Sequence, residues 1–176
     1  TGDCPLIDPQ LVDEAFHKFK TGNVDYLSNT NPPTFPDGLD IEVFTFAALQ
    51  RAHNEAHTPS DREHVTPYIR ESGHFSTLNV TADQDFSNLR WTVDEDQDLE
   101  VVRFVVEHFA PDRLFSWKDV LRLYETYSVE LNRNSAIARN EGATMGTGQK
   151  LWKRAKAVIP GGNMLLSKRA EMFLPD

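Results

Sequence analysis

The sequence predicts an α/β layered domain, because segments typical of strands alternate with segments typical of helices along most of its 176 residues. The strand-like segments alternate apolar and polar residues, and the helix-like segments repeat apolar residues at the spacing of a helix face. Acidic residues stand where several predicted strands end. The carboxyl ends of strands form the ligand-binding edge of an α/β sheet, so these acids indicate where a site would lie.

The first predicted helix begins after Asp8, a capping acid that is followed by a proline, and Gly22 ends it. Its inward face is predicted from apolar residues at helical spacing, which are Val12, Ala15, Phe16 and Phe19. A short strand over 24–28 comes next. A proline-rich loop over 29–38 then leads to a second strand over 39–45, which alternates apolar and polar residues.

The remaining predicted elements are mostly helical. A helix over 46–56 is followed by one that Ser60 caps, with Glu63 completing a capping box and a kink expected at Pro67. The helix over 95–109 is expected to turn five apolar residues inward, which are Leu99, Val102, Val105, Val106 and Phe109. The other predicted elements are strands over 75–80 and 89–93, a helix from the Ser116 cap to Tyr124, a turn over 129–131 and a helix over 149–158.

Charge divides the chain into two parts. Residues 1–130 carry 24 acidic and 10 basic side chains, whereas residues 131–176 carry 3 acidic and 8 basic ones. The excess of acidic side chains over residues 1–130 argues against a domain that binds nucleic acid. The glycine-rich stretch 142–148 indicates a linker, which we place over 131–148, ahead of a helical segment over 149–176.

Apolar content and cysteine content exclude two further classes of protein. No apolar run approaches the roughly 18 residues of a membrane-spanning helix, so we predict no membrane contact. Cys4 is the only cysteine, which excludes a disulfide framework and a multi-cysteine metal site. We therefore expect a cytoplasmic protein.

Asp3 and Asp94 form the sharpest pair of candidate site residues. Each stands where a predicted strand gives way to a helix, and such positions converge on the ligand crevice of an α/β sheet. Two carboxylates there suit Mg²⁺, a hard cation that favours oxygen ligands. The alternative is that both acids are helix caps, since Asp94 and Gln97 have the spacing of a capping box. We interpret Asp96 and Asp98 as first-turn acids that the helix dipole stabilises.

Asp40 and Glu42 are predicted to share one face of the second strand. Carboxylates accept paired hydrogen bonds from sugar diols, so this pair is a candidate for sugar recognition, although a solvated strand face explains the same pattern. Arg62, Glu63 and His64 place a cation, an anion and an imidazole in consecutive positions. On a helix these side chains point in different directions, so a surface patch is the alternative to a binding role.

Four segments carry a more specific signal when they are taken in order. They are Thr-Gly-Asp-Cys-Pro-Leu-Ile-Asp-Pro over 1–9, Pro-Asp-Gly-Leu-Asp-Ile-Glu-Val-Phe over 36–44, Arg-Glu-His-Val-Thr-Pro-Tyr-Ile over 62–69, and Arg-Trp-Thr-Val-Asp over 90–94 with Asp-Leu-Glu over 98–100. Together they resemble the cytidylyltransferase family of spore-coat polysaccharide biosynthesis protein F, which is related to acylneuraminate and 3-deoxy-manno-octulosonate cytidylyltransferases.

The resemblance implies a nucleotide-diphospho-sugar transferase fold, which is Rossmann-like. It also implies a Mg²⁺-dependent reaction between a nucleoside triphosphate, expected to be CTP, and a sugar or sugar acid. By the same resemblance Asp3 and Asp94 match metal-binding acids, and no catalytic residue is assigned. The residues expected to bind substrate are Asp40, Glu42, Arg62, Glu63, His64 and Arg90.

One part of the family pattern is missing. Family members begin with a strand and a basic, glycine-containing loop that holds the nucleotide, and this chain lacks that segment. We therefore expect residues 1–130 to be the C-terminal part of a nucleotidyltransferase domain that lacks its N-terminal strands. Without the cationic loop to stabilise the triphosphate, we expect the chain to be inactive by itself and to be an internal piece of a longer protein.

A second resemblance covers the end of the chain. Residues 148–162 and 166–175 look like the opening of a glutamate-1-semialdehyde-type class III aminotransferase, an enzyme that uses pyridoxal phosphate. The cofactor site would then lie beyond this chain, in a fusion of two enzymes of polysaccharide biosynthesis. A plain amphipathic helix with a loose end is the alternative for this segment.

Two other functions stay open for the main domain. A glycosyltransferase of the same fold would use the same acids to consume a nucleotide sugar. A non-catalytic interaction domain would use the acids only as helix caps. A homodimer is compatible with all three functions.

Overall fold

A computed structural model describes residues 2–63, 65–112, 114–137 and 139, with the side chains of Ser60 and Glu63 excepted. The described residues up to Ala136 belong to one compact unit with a mixed α/β fold, as the sequence predicts. The predicted helix and aminotransferase-like segment over 149–176 lie outside the described residues.

Helices and strands follow one another as follows. The described helices are α1 (Pro9–Gly22), α2 (Phe46–Glu55), α3 (Pro59–Glu63), α4 (Pro67–Glu71), α5 (Asp96–Phe109), α6 (Trp117–Thr126) and α7 (Ser128–Leu131). The described strands are β1 (Tyr26–Ser28), β2 (Glu42–Phe44) and β3 (Thr77–Asn79). Most of these elements lie within the predicted ranges, with shorter strands.

The sheet has the order β2-β1-β3, in which β1 pairs antiparallel with β2 and parallel with β3. Ser28 at the carboxyl end of β1 lies between Glu42 at the start of β2 and Asn79 at the end of β3. Glu42 therefore lies at the carboxyl end of the parallel pair, which is the edge where α/β sheets bind ligands.

Two hydrophobic clusters stabilise the unit. The main cluster contains Leu27 of β1, Trp91 and the α5 residues Val101 and Val105, which are almost completely buried. A smaller cluster joins β1 to α2 and α4, and its buried members are Tyr26, Ala48, Ala52 and Ile69. Burial of this apolar surface provides most of the driving force for folding.

Two predicted helix faces are correct only in part. In α1 Ala15 is buried as predicted, but the other buried residue is Leu11, whereas Val12 and Phe16 are 38% and 53% exposed. In α5 Val102 and Val105 are buried as predicted, but Val101 is buried too and Leu99 is 45% exposed. Each helix carries apolar residues on two adjacent stripes, and periodicity alone cannot decide which stripe the core covers.

Two predicted helix starts also need correction. Ser60 lies inside α3, and Thr58 is the cap, because its hydroxyl oxygen accepts a hydrogen bond of 3.1 Å from the Asp61 amide. The expected kink at Pro67 is instead the start of the separate helix α4. Proline suits a first helical position, where its missing N–H costs nothing.

The segment over 89–93 is not a strand, contrary to the prediction. Arg90 makes an isolated bridge with Asp37, and Leu89 and Trp91 are buried in the main hydrophobic cluster. Alternating apolar and polar residues favour a strand, but a strand also requires a neighbouring strand with which to pair, and here the neighbour over 36–38 is a loop.

Candidate functional site

Two extended loops pack side by side and bring distant parts of the sequence together. The Asp37 amide donates to the Leu89 carbonyl at 2.8 Å, and the Trp91 amide donates to the Asp37 carbonyl at 2.7 Å. Gly38 lies between them with a φ of 102°, and a Cβ there would be 2.6 Å from the Thr92 nitrogen. The loops can therefore approach this closely only because the residue is glycine.

Asp3 joins the same region through its main chain. Its carbonyl accepts hydrogen bonds from the Val93 amide at 2.8 Å and from the Thr92 hydroxyl at 3.1 Å. The structure thus places Asp3 beside the two residues that precede Asp94. The Asp3 residue is half-buried, and the Asp94 side chain is 50% exposed.

These two acids are the predicted metal ligands. Among the described residues, no group of three or more His, Cys, Asp or Glu side chains is arranged to hold a metal ion. Mg²⁺ commonly takes only one or two protein carboxylates and completes its shell with water and substrate phosphates. The metal-binding role of Asp3 and Asp94 stays a prediction.

Arg90 lies at the centre of a buried group of charges, here called the Arg90 cluster. Its guanidinium donates to Asp37 at 2.9 Å, to Asp94 at 2.7 Å and to Asp98 at 2.9 Å. The side chain of Arg90 is only 7% exposed, and that of Asp98 is fully buried. Arg90 was predicted to bind substrate, and that role stays a prediction. In the structure its donors are directed at three carboxylates, which it holds in place.

Asp98 makes the most described hydrogen bonds among the carboxylates of this cluster, and no sequence pattern by itself predicts this role. Burial by itself would raise the pKa of Asp98, but hydrogen bonds from Arg90, the Asp94 amide, Asn134 and the Glu95 amide hold the pKa below its ordinary value. Asp98 also completes a capping box with Glu95, so the predicted box of Asp94 with Gln97 is wrong. The available sequence signal was its position one helical turn after Asp94.

Asn134 completes the Arg90 cluster from a distant part of the chain. This residue is 2% exposed and follows α7. Its side-chain nitrogen donates to the Arg90 carbonyl at 2.9 Å and to the Asp98 carboxylate at 2.7 Å. No local sequence pattern marks Asn134, because its partners lie 44 and 36 positions away.

Glu42 is the centre of a second group, the Glu42 cluster, at the carboxyl end of the parallel strands. The Tyr26 hydroxyl and the Thr66 hydroxyl both donate to Glu42 Oε1, the latter at 2.9 Å, and an Arg70 nitrogen lies 4.0 Å away. The Glu42 side chain remains 32% exposed. Burial, with the hydrogen bond to Glu42, raises the pKa of Tyr26 well above its ordinary value, so Tyr26 stays a neutral donor.

The predicted alternation around Glu42 agrees with the structure. Leu39 and Ile41 are buried, whereas Asp40 and Glu42 are exposed. The strand itself begins only at Glu42, so Asp40 belongs to the loop that enters it. Both acids thus face away from the core, as sugar recognition would require, and their binding role stays a prediction.

Arg62 belongs to α3, and its side chain reaches the carboxyl end of α2. One of its guanidinium nitrogens donates to the His53 carbonyl at 3.2 Å and to the Ala56 carbonyl at 3.3 Å. A cation at this end of a helix pairs with exposed carbonyls and with the helix dipole. The side chain of Glu63 and the whole of His64 lie outside the described residues.

A separate groove of about 410 Å³ lies beside α1 and the start of α6, lined by residues that include Lys18, Phe86 and Trp117. Asp8 closes one side, since its carboxylate accepts from the Gln10 and Trp117 amides and so caps α1 and binds the start of α6. The predicted site residues are not among those described around this groove. We therefore place the candidate site at the two carboxylate clusters.

Comparisons with known proteins bear on the fold. No family model matches the chain. The chain is 34% identical to an uncharacterized protein of Methanocaldococcus jannaschii over 112 residues. The aligned region covers 62% of the chain and 45% of that protein. No helix within the described ranges is long and apolar enough to cross a membrane.

A solved structure supports the sequence resemblance. The chain is similar to a cytidylyltransferase from Leptospira borgpetersenii serovar Hardjo-bovis, with a TM-score of 0.72 and 30% identity over 79% of the chain and 59% of that protein. The chain thus spans about half the length of the proteins it matches. Its mixed α/β fold is similar to that of a cytidylyltransferase, which confirms this part of the predicted resemblance.

Proposed function

We propose that the chain is part of a Mg²⁺-dependent cytidylyltransferase that activates a sugar or a nonulosonate for cell-surface polysaccharide biosynthesis. The observation that carries this proposal is the similarity to a cytidylyltransferase over 79% of the chain, at a TM-score of 0.72. Since the chain spans only 59% of that structure, the activity is proposed for the whole protein.

Asp3 and Asp94 are proposed to hold Mg²⁺. Their fit is supported by the hydrogen bond from the Val93 amide to the Asp3 carbonyl, which puts both acids at one junction of loops. Carboxylate oxygens are the ligands that Mg²⁺ prefers, and half of the Asp94 side chain is open to solvent. The bound ion would neutralise charge on the triphosphate. Arg90 would orient Asp94 by donating to one of its carboxylate oxygens.

Asp40 and Glu42 are proposed to accept hydrogen bonds from sugar hydroxyls. Tyr26 and Thr66 fix the Glu42 carboxylate while leaving part of it exposed, which preorganises it for a ligand. The other proposed substrate-binding residues are Arg62, Glu63, His64 and Arg90, the last acting through the acids that it holds.

The end of the chain is proposed to open an aminotransferase-like domain, on the strength of the sequence resemblance over 148–162. The pyridoxal phosphate site and the lysine that binds the cofactor would then lie in that aminotransferase domain, beyond residue 176. We further propose that the whole protein is cytoplasmic and forms a homodimer. Limited proteolysis is expected to cut first over 142–148, because glycine-rich linkers are readily cleaved, and to leave an acidic core. Cleavage that starts inside residues 2–112 would contradict this division.

The activity test is pyrophosphate release from CTP by the longer protein that we expect to contain this chain. A panel of amino sugars and sugar acids would be assayed with CTP, ATP, GTP and UTP, and the 176-residue chain would be assayed beside it. We expect release with CTP, dependent on one sugar class, and none from the 176-residue chain. Transfer of a sugar from a nucleotide sugar to an acceptor, without pyrophosphate release, would favour the glycosyltransferase alternative instead.

A further inference from the structure

The loop that carries Asp94 depends on one buried carboxylate. Asp98 accepts hydrogen bonds from the amides of Asp94 and Glu95, each at 3.0 Å, through one carboxylate oxygen. Its other oxygen accepts from Arg90 at 2.9 Å and from Asn134 at 2.7 Å. Because Asp98 is fully buried, solvent cannot replace a partner that is lost.

Asn134 holds both ends of the segment that contains Asp94. Its amide nitrogen carries two hydrogens, and the two acceptors within reach are the Arg90 carbonyl and the Asp98 carboxylate. Arg90 and Asp98 in turn hold the side chain and the main chain of Asp94. Asn134 itself is buried and makes no described hydrogen bond to Asp94.

We propose that Asn134 is a positioning residue that sets the Asp94 carboxylate for a divalent cation by holding Arg90 and Asp98. The inference rests on the proposed function, because it takes Asp94 as a metal ligand. Residues that orient metal ligands commonly change metal affinity by about 10–100-fold when they are replaced. Loss of the Asn134 amide would leave Asp98 with one buried acceptor site less satisfied and would loosen the Asp94 main chain.

The test measures Mn²⁺ binding by electron paramagnetic resonance on the 176-residue chain, with Mn²⁺ as a substitute for Mg²⁺. Asn134→Leu keeps a similar volume and removes both donors, and we expect it to raise the Mn²⁺ Kd by about 10-fold or more. The matched control is Asn132→Leu, since Asn132 lies two positions away and donates to the Tyr124 hydroxyl instead. The control is expected to leave the Mn²⁺ Kd unchanged.

A second measurement separates positioning from a general loss of stability. Amide hydrogen exchange by NMR should become faster at Asp94 and Glu95 in Asn134→Leu, while the Val80 amide, which donates to Ser28 in the sheet, keeps its protection. If Asn134→Leu does not fold, Asn134→Ser takes its place with the same expected direction. Equal loss of protection at all three amides would show a purely structural role and would overturn the proposal.

The outcomes also distinguish this inference from the proposed function. If Asp94→Asn abolishes Mn²⁺ binding but the Asn134 variant binds as wild type does, the positioning role is wrong and the metal site stands. If Asp94→Asn binds Mn²⁺ as tightly as wild type does, or if the wild-type chain itself does not bind Mn²⁺, the metal assignment is wrong and the positioning role is wrong with it.

Discussion

In the Arg90 cluster three carboxylates surround one buried guanidinium, whereas in the Glu42 cluster one partly exposed carboxylate collects hydroxyl donors. The first cluster ties together loops that are distant in sequence. The second lies at the end of the sheet, where Glu42 is 32% exposed. In the first cluster the guanidinium and the carboxylates are paired with one another, whereas in the second the Glu42 carboxylate is open to hydrogen bonds from a ligand.

Burial explains why the two clusters should respond differently to substitution. A buried charge must be paired, and removing its partner leaves an uncompensated ion in the interior. Changes in the Arg90 cluster are therefore expected to reduce stability first, except at its exposed member, Asp94. Changes in the Glu42 cluster are expected to affect ligand binding more than folding.

The largest expected effect comes from Arg90→Leu. Asp98 would lose the charge that compensates its burial, and we expect the free energy of unfolding to fall by about 3–5 kcal/mol in urea denaturation. The control is Arg122→Ala, which removes an exposed pair with Asp119 and should change the unfolding free energy little. Equal effects of the two substitutions would show that the Arg90 cluster is not a determinant of the fold.

Gly38→Ala should have the next largest effect. The new Cβ would lie 2.6 Å from the Thr92 nitrogen, on a backbone with a φ of 102°. We expect this clash and the backbone strain together to lower the free energy of unfolding by about 2–4 kcal/mol. Gly73→Ala is the matched control, because its φ is 73° but nothing lies within 4 Å of the new Cβ. If both variants lose the same stability, the close approach of the two loops does not constrain the fold.

Tyr26→Phe should have the smallest effect on stability, and one that depends on pH. At pH 7 the lost hydrogen bond to Glu42 is expected to cost about 1 kcal/mol. The raised pKa of Tyr26 means that its contribution is complete below about pH 10, the ordinary tyrosine pKa, and is lost as pH rises further.

Urea denaturation at pH 7 and pH 11 checks this prediction. The wild-type chain should lose more stability between the two values than Tyr26→Phe does. Thr66→Val is the control, since it removes the other hydroxyl donor to Glu42 but keeps the titrating phenol, so it should retain the wild-type pH dependence. The same pH dependence in Tyr26→Phe and wild type would contradict the raised pKa.

Local signals predicted much of the fold. The caps at Asp8 and Ser116 and the helices that follow them are where the sequence places them, because capping and helical periodicity are written within a few residues. The shared outward face of Asp40 and Glu42 followed from the same local pattern, whereas the position of Glu42 at the carboxyl end of the parallel strands depends on strand pairing. Which stripe of α1 or α5 is buried depends on the packing partner, and local patterns do not contain that information.

The Arg90 cluster was predictable only in part. Asp94 is predicted as a site residue because it follows an extended segment, and its direct partners, Arg90 and Asp98, are each four residues away. The residues that hold Arg90 in turn, Asp37 and Asn134, lie far away in the sequence. Hydrogen bonds between such distant positions leave no periodic trace in one sequence. Asp98 is a first-turn acid of α5 as predicted, but its complete burial depends on these distant contacts and left no such trace.

The most direct measurement compares Asp94→Asn with Asp96→Asn in CTP-dependent pyrophosphate release by the longer protein. Asp94 is the exposed edge of the Arg90 cluster, while Asp96 is an exposed acid in the first turn of α5 with the same charge. We predict that Asp94→Asn lowers kcat by about 100-fold or more and that Asp96→Asn leaves it near wild type. Equal activity of the two variants would contradict the assignment of Asp94 to the nucleotidyl-transfer site.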